Sequence, residues 1–169
     1  MIVAAACPQP ASAQDYGASP QQAAGALNRF YNNRTQEVIA SWMTRQDREQ
    51  AIADNIEYVR SIIETLHPFD RLVLLGFSQG AAMAFRTAAT VNCDGVIAMG
   101  GDVPPDVTQL SAPVLLARGE RDEWYTQEKF EKDLSFLRQH VSVTSCVFNG
   151  GHEFTDEFRE TAAAFLRSL

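Results

Sequence analysis

Cysteine is too scarce here to hold a fold together. Cys7, Cys93 and Cys146 form no CxxC pair and no zinc-ligand spacing, and an odd number is a poor basis for a disulfide framework. They read as small buried hydrophobes, and no metal site is expected. Basic residues are also in deficit. Fourteen Lys and Arg against 21 Asp and Glu leave a net charge of −7, which argues against nucleic acid or an anionic membrane as the main partner. No apolar run approaches the length of a membrane span. Internal repeats, low-complexity tracts and linkers are lacking too, and 169 residues suit a single domain over residues 1–169 with a sizeable core. Met1–Ala6 has no basic residues before it, and Pro8 and Pro10 interrupt the stretch after it, although Ala11-Ser-Ala13 imitates a leader cleavage site. The expectation is a short buried strand, Ile2–Ala6, ended by the prolines, in a cytoplasmic protein. A secreted or periplasmic location is the alternative.

The features that are present centre on Leu72–Phe85. Leu72-Val-Leu-Leu is a continuous apolar run, as in a strand buried on both faces of a parallel sheet. The chain then turns at Gly76-Phe-Ser-Gln-Gly80 and continues as an alanine-rich run suited to a helix. Strand, G-x-S-x-G, helix is the setting of a nucleophile elbow, in which a serine sits on a sharp, strained turn between small neighbours. At about 7% glycine and a similar share of serine, three fixed positions match by chance roughly 0.06 times in a chain this long, so the motif carries weight. An idle serine in a tight turn is the competing reading.

The rest of the chain alternates strand and helix signals. Gln14 to about Tyr31 is polar and reads as a loop with a short helix over Pro20–Asn28. Thr44 suits an N-cap, with Asp47 in the capping-box position. Ile52, Ile56, Val59, Ile63 and Leu66 then form one stripe of a long helix to lay on a sheet, closed by His67-Pro68. Further strands are expected at Gly95–Met99, Ala112–Ala117 and Val141–Phe148, the last half-exposed near the sheet edge. Thr126 and Thr155 cap two more helices, one carrying Phe130, Leu134 and Leu137, the other Phe158, Ala162, Phe165 and Leu169. This order predicts an α/β fold with a mostly parallel sheet flanked by helices.

Ligands of such sheets bind at the carboxyl ends of the strands, and Ser78, Asp122 and His152 each follow a different strand end. A serine hydroxyl is a weak nucleophile and needs a base, which a carboxylate must orient. The order Ser…Asp…His is that of α/β-hydrolases. His152 follows a Gly-Gly pair that lets a loop reach the elbow. For the carboxylate, Asp102 and Glu120 stand beside Asp122 as alternatives. His140, at a helix–strand junction, reads as a solvated capping residue.

Gly76-Phe-Ser-Gln-Gly80, Asp122 and Gly151-His152 together resemble the phospholipase/carboxylesterase family of α/β-hydrolases, which includes acyl-protein thioesterases. The glutamine after the serine is the more specific mark. Trp42 and the Ala-Cys-Pro-Gln-Pro stretch are similar to the family's features ahead of the long helix. The resemblance implies cofactor-free hydrolysis of carboxylic esters or thioesters of small to medium acyl groups. Ser78 would be the nucleophile, His152 general base then acid, and Asp122 its orienting partner.

One family feature is missing: no His-Gly dipeptide occurs, so the loop that supplies half the oxyanion hole is not evident, and the chain looks to lack the first strands. The N–H of Gln79 can supply one donor, and Cys7 or Gln9 the second. An unpaired sheet edge left by missing strands predicts a homo-oligomer, or an edge covered by Gln14–Asn33. Two functions are compatible with these features. The first is a serine esterase acting through an acyl-enzyme intermediate on a small-molecule ester or thioester. The second is a catalytically weak or inactive hydrolase-fold binding protein. Dienelactone-hydrolase-like action would want cysteine where Ser78 stands. Trp124, Tyr125 and Phe154 flank the triad residues and are the candidate substrate-binding side chains, with core packing as their alternative role.

Overall fold

Strands that read as unbroken apolar runs are buried on both faces. The computed structural model describes residues 2–5, 28–31, 38–41 and 48–169. In chain order these form β1 (Ile2–Ala5), β2 (Asn28–Tyr31), β3 (Val38–Ser41), α1 (Arg48–Thr65), β4 (Val73–Phe77) and α2 (Gln79–Ala88). β5 (Gly95–Met99), β6 (Val114–Gly119), α3 (Gln127–Leu137), β7 (Val143–Phe148) and α4 (Asp156–Ser168) complete the order. Five strands make one parallel sheet in the order β1-β4-β5-β6-β7, while β2 and β3 pair antiparallel with each other.

Alternate residues of the central strands feed two separate cores, which is why their sequence shows no polar alternation. Leu74, Val96, Ala98, Val114 and Leu116 pack beneath α1, α2 and α3. Val73, Ile97, Met99, Leu115 and Ala117 face Phe158, Ala162 and Phe165 of α4 on the other side. β7 forms the far edge and has the mixed burial expected of a half-exposed strand, with Phe148 buried and Val147 exposed.

Two expectations change. Asn28–Tyr31 is a strand rather than loop or helix end, paired antiparallel with β3 in a register that sets Phe30 opposite Ile39 and Tyr31 opposite Val38. The rest of the expected Pro20–Asn28 helix lies outside the described residues, as do Thr44, Trp42 and residues 14–27. The buried face of α1 is Ala51, Asn55, Val59 and Ile63, at steps of four. That helix packs on α2 and over the core; Val59 and Ile63 of the expected stripe are buried, Ile56 is partly buried against them, and Leu66 remains 51% exposed past the helix end.

Candidate active site

The C-terminal ends of the strands are laced together by backbone bonds that continue past the sheet. The N–H of Ser78 donates to the Met99 carbonyl at 2.9 Å, Gly100 N–H to Ala117 at 2.9 Å, and Glu120 N–H to Phe148 at 2.8 Å. The N–H of Arg121 donates to Gly150 at 2.9 Å. Each bond ties one strand end to the next, so the loops carrying Ser78, Asp122 and His152 emerge along one rim.

Ser78 caps α2 at φ 56°, ψ −122°, and it is the one non-glycine residue with positive φ among the described residues. A side chain in that region is strained, and the surrounding strand and helix must hold it there. Gly76 makes the turn feasible: a Cβ on it would run into the Gly80 carbonyl and the Ala81 backbone. Strand and helix therefore meet at contact distance, as the G-x-S-x-G spacing requires.

His152 and Asp122 meet directly. Nδ1 of His152 lies 2.8 Å from Oδ2 of Asp122, whose side chain is fully buried. The other carboxylate oxygen, Oδ1, accepts the N–H groups of Trp124 and Tyr125, both at 2.9 Å. A carboxylate with both oxygens occupied in this way has a fixed orientation. The imidazole is held on one side by the Phe77 ring, at 4.7 Å between centroids, and on another by Gly100. Gly101, next in the chain, packs against the Ser78 carbonyl. The other carboxylates go elsewhere. Asp102 lies 3.4 Å from Lys129 Nζ, and Glu120 is exposed. His140 contacts the Phe136 carbonyl at the end of α3, in keeping with a capping residue.

A cleft of about 710 Å³ opens beside Ser78. Gln79, Trp124 and Tyr125 line it; Phe154 instead stacks on Phe77 and Phe158, at 4.8 and 5.4 Å. Trp124 is 75% exposed at the mouth, whereas Tyr125 is 1% exposed with its hydroxyl donating to Asp133 Oδ2 at 2.9 Å. Cys7 and Gln9, the expected sources of a second oxyanion donor, lie outside the described residues. Among the described residues no group of His, Cys, Asp and Glu is placed to hold a metal ion.

Two buried charges were invisible to pattern reading. Arg118, at the end of β6, donates from Nε to the Tyr125 carbonyl at 3.0 Å, from Nη1 to Gln127 Oε1 at 2.6 Å, and from Nη2 to the Glu120 carbonyl at 3.2 Å. It clamps both sides of the loop that carries Asp122. Asp133, on the buried face of α3, reaches the same loop through Tyr125. The one available signal for Arg118 was a cation directly after an apolar strand run.

A family model described as Serine hydrolase (FSH1) matches residues 3–157 of the chain. No curated protein matches significantly. Among solved structures, acyl-protein thioesterase 2 of Zea mays is similar with a TM-score of 0.67 at 18% identity, over 85% of this chain and 78% of that one. SOBER1 of Arabidopsis thaliana gives 0.64 at 18% identity, over 80% and 76%. A carboxylesterase of Bacillus cereus gives 0.64 at 22% identity, over 77% and 69%. At such identities the likeness shows a shared fold, the α/β-hydrolase fold, and nothing finer.

Proposed function

Because the chain belongs to the serine hydrolase (FSH1) family, we propose that it hydrolyses carboxylic esters or thioesters of small to medium acyl groups through Ser78, His152 and Asp122. The observation that carries this reading is the 2.8 Å bond between His152 Nδ1 and Asp122 Oδ2, made at the same rim as a serine in strained backbone geometry. Since a carboxylate oxygen only accepts, that bond puts the ring's proton on Nδ1 and leaves Nε2 as the acceptor a general base needs.

The steps follow from that tautomer. Nε2 takes the Ser78 hydroxyl proton as Oγ attacks the substrate carbonyl, and Asp122 stabilises the imidazolium. The oxyanion forms beside the start of α2, where the Gln79 N–H donates and the helix N-terminus favours negative charge. Collapse of the adduct expels the alcohol or thiol, which takes the proton from Nε2. Water then attacks the acyl-serine by the same proton route in reverse, releasing the acid and free Ser78. The apolar cleft wall of Ala82, Val103, Val107 and Phe136 suits an acyl chain, with Trp124 at its mouth.

A series of p-nitrophenyl esters and matched thioesters of increasing acyl length tests this. Turnover should be measurable in the wild type and fall by roughly 10⁴-fold or more in Ser78→Ala. Equal rates in the two proteins would end the reading and leave a binding protein on a hydrolase fold.

A further inference from the structure

Asp133 is a carboxylate where an apolar residue would be the simpler choice. It projects from the buried face of α3, between Phe130 and Leu137 in sequence, and is 7% exposed. Burial pushes its carboxyl above the ordinary range and nearby Asp102 adds to this, while the Val103 N–H, the Tyr125 hydroxyl and Lys132 oppose it. A buried carboxylate is costly unless hydrogen bonds offset the lost water. Here the offsetting bonds run to two particular places. Oδ2 accepts the Val103 N–H at 2.9 Å and the Tyr125 hydroxyl at 2.9 Å.

Those two partners belong to the two loops that shape the candidate site. Val103 ends the segment in which Gly100 flanks the His152 ring and Gly101 backs the Ser78 carbonyl. Tyr125 ends the segment that begins at Asp122, and its own N–H holds Asp122 Oδ1. One oxygen of α3 thus cross-links the loop after β5 to the loop after β6. The path from it to the imidazole is Asp133, Tyr125, Asp122, His152, each step a hydrogen bond or one residue's backbone.

We propose that Asp133 and Tyr125 form a positioning pair that fixes the Asp122 carboxylate against His152 by locking the two site loops to each other. The proposal rests on the serine-hydrolase reading for its consequence in catalysis, but the locking itself is a property of the hydrogen-bond network. Only acceptor capacity at Oδ2 is required, because both donors are neutral. Asparagine therefore replaces Asp133, and leucine of similar bulk does not.

The test compares wild type, Tyr125→Phe, Asp133→Leu and Asp133→Asn. The first readout is the imidazole Nδ1–H proton of His152, followed by NMR and assigned by its disappearance in His152→Ala. It should give a far-downfield signal in the wild type and in Asp133→Asn. In Tyr125→Phe and Asp133→Leu its exchange with solvent should speed up by roughly tenfold or more, because local opening becomes easier. The second readout is p-nitrophenyl ester turnover, where those two variants should lose kcat by roughly 10–100-fold with KM little changed, the signature of misplacement rather than lost binding. A protected signal of wild-type sharpness in folded Tyr125→Phe and Asp133→Leu overturns the proposal. If Asp133→Leu does not fold, Tyr125→Phe, which loses one hydroxyl, decides alone. If the wild type turns over no ester at all, the hydrolase reading falls, and the NMR comparison still decides the locking.

Discussion

Gly100 carries more of the site than its size suggests. Its φ is +64°, and a Cβ added to it would meet the His152 Cε1 and Nδ1 at 3.0 Å and Asp122 Oδ2 at 3.3 Å. Gly100→Ala should cost about 1–3 kcal/mol from the backbone conformation alone, measured as a lowered Tm. It should also push the ring off its carboxylate, with kcat down by roughly 10²-fold in ester turnover. Wild-type turnover in that variant would mean that His152 does not act from where it lies. Cysteine chemistry is a separate matter. Burial pushes the Cys93 thiol up to about 11, so at pH 8 it stays protonated and iodoacetamide should leave it largely unmodified in the folded protein. Rapid alkylation there would contradict the packing around it. At this scale residue type and motif singled out positions that the fold does set at one rim: Ser78 on a strained turn between Gly76 and Gly80, and His152, after Gly-Gly, bonded to Asp122. Asp133 and Arg118 were not singled out, since a charge in a helix or at a strand end carries no sign of the loops folded over it.

Helices and strands were legible because hydrophobic period and terminal residues pointed the same way. Two helix starts allow a controlled comparison. Thr155 caps α4, and its hydroxyl accepts the Phe158 N–H at 3.3 Å. Thr126 sits at the matching place before α3 with no side-chain bond to the helix. Thr155→Ala should therefore cost about 1 kcal/mol in urea unfolding, and Thr126→Ala only a few tenths. Equal costs would show that the Thr155 bond contributes nothing. Partner choice was not legible at this scale. The long helix α1 packs on α2 as well as over the core, so Ala51 and Asn55 are buried beside Val59 and Ile63 of the expected stripe, while Ile56 is only partly buried. The β2–β3 pair was missed because polar Asn28 and Arg29 mask a strand whose signal lies in the residues opposite it.

Across the molecule, two carboxylates should give stability opposite responses to pH. The Arg86 guanidinium binds Asp106 through Nε and Nη2, each at 2.7 Å, and holds its carboxyl below the ordinary value of 3.8. A lowered native value means that the pair stabilises the fold above the unfolded value and loses that effect as pH falls through the native one. Asp106→Asn should thus be less stable than wild type at pH 7, and the gap should close as pH drops below 3.8. Asp133 runs the other way. With its native value raised, it favours the fold at low pH and loses that contribution as pH rises through the native value. Asp133→Asn should gain on wild type toward neutral pH, and a pH-independent difference in either variant would contradict the assigned environments. The fold class was readable from the alternation of elements; the convergence of its loops on one rim needs the backbone bonds that link Ser78 to β5, Gly100 to β6 and Arg121 to Gly150. Whether that rim is a working nucleophile site is tested most directly by mass mapping after exposure to a serine-reactive phosphonate. The adduct should fall on Ser78 in the folded wild type, slow by orders of magnitude in His152→Ala and vanish in Ser78→Ala. A wild-type protein that takes no label at Ser78, or takes it as fast without His152, would contradict the assignment.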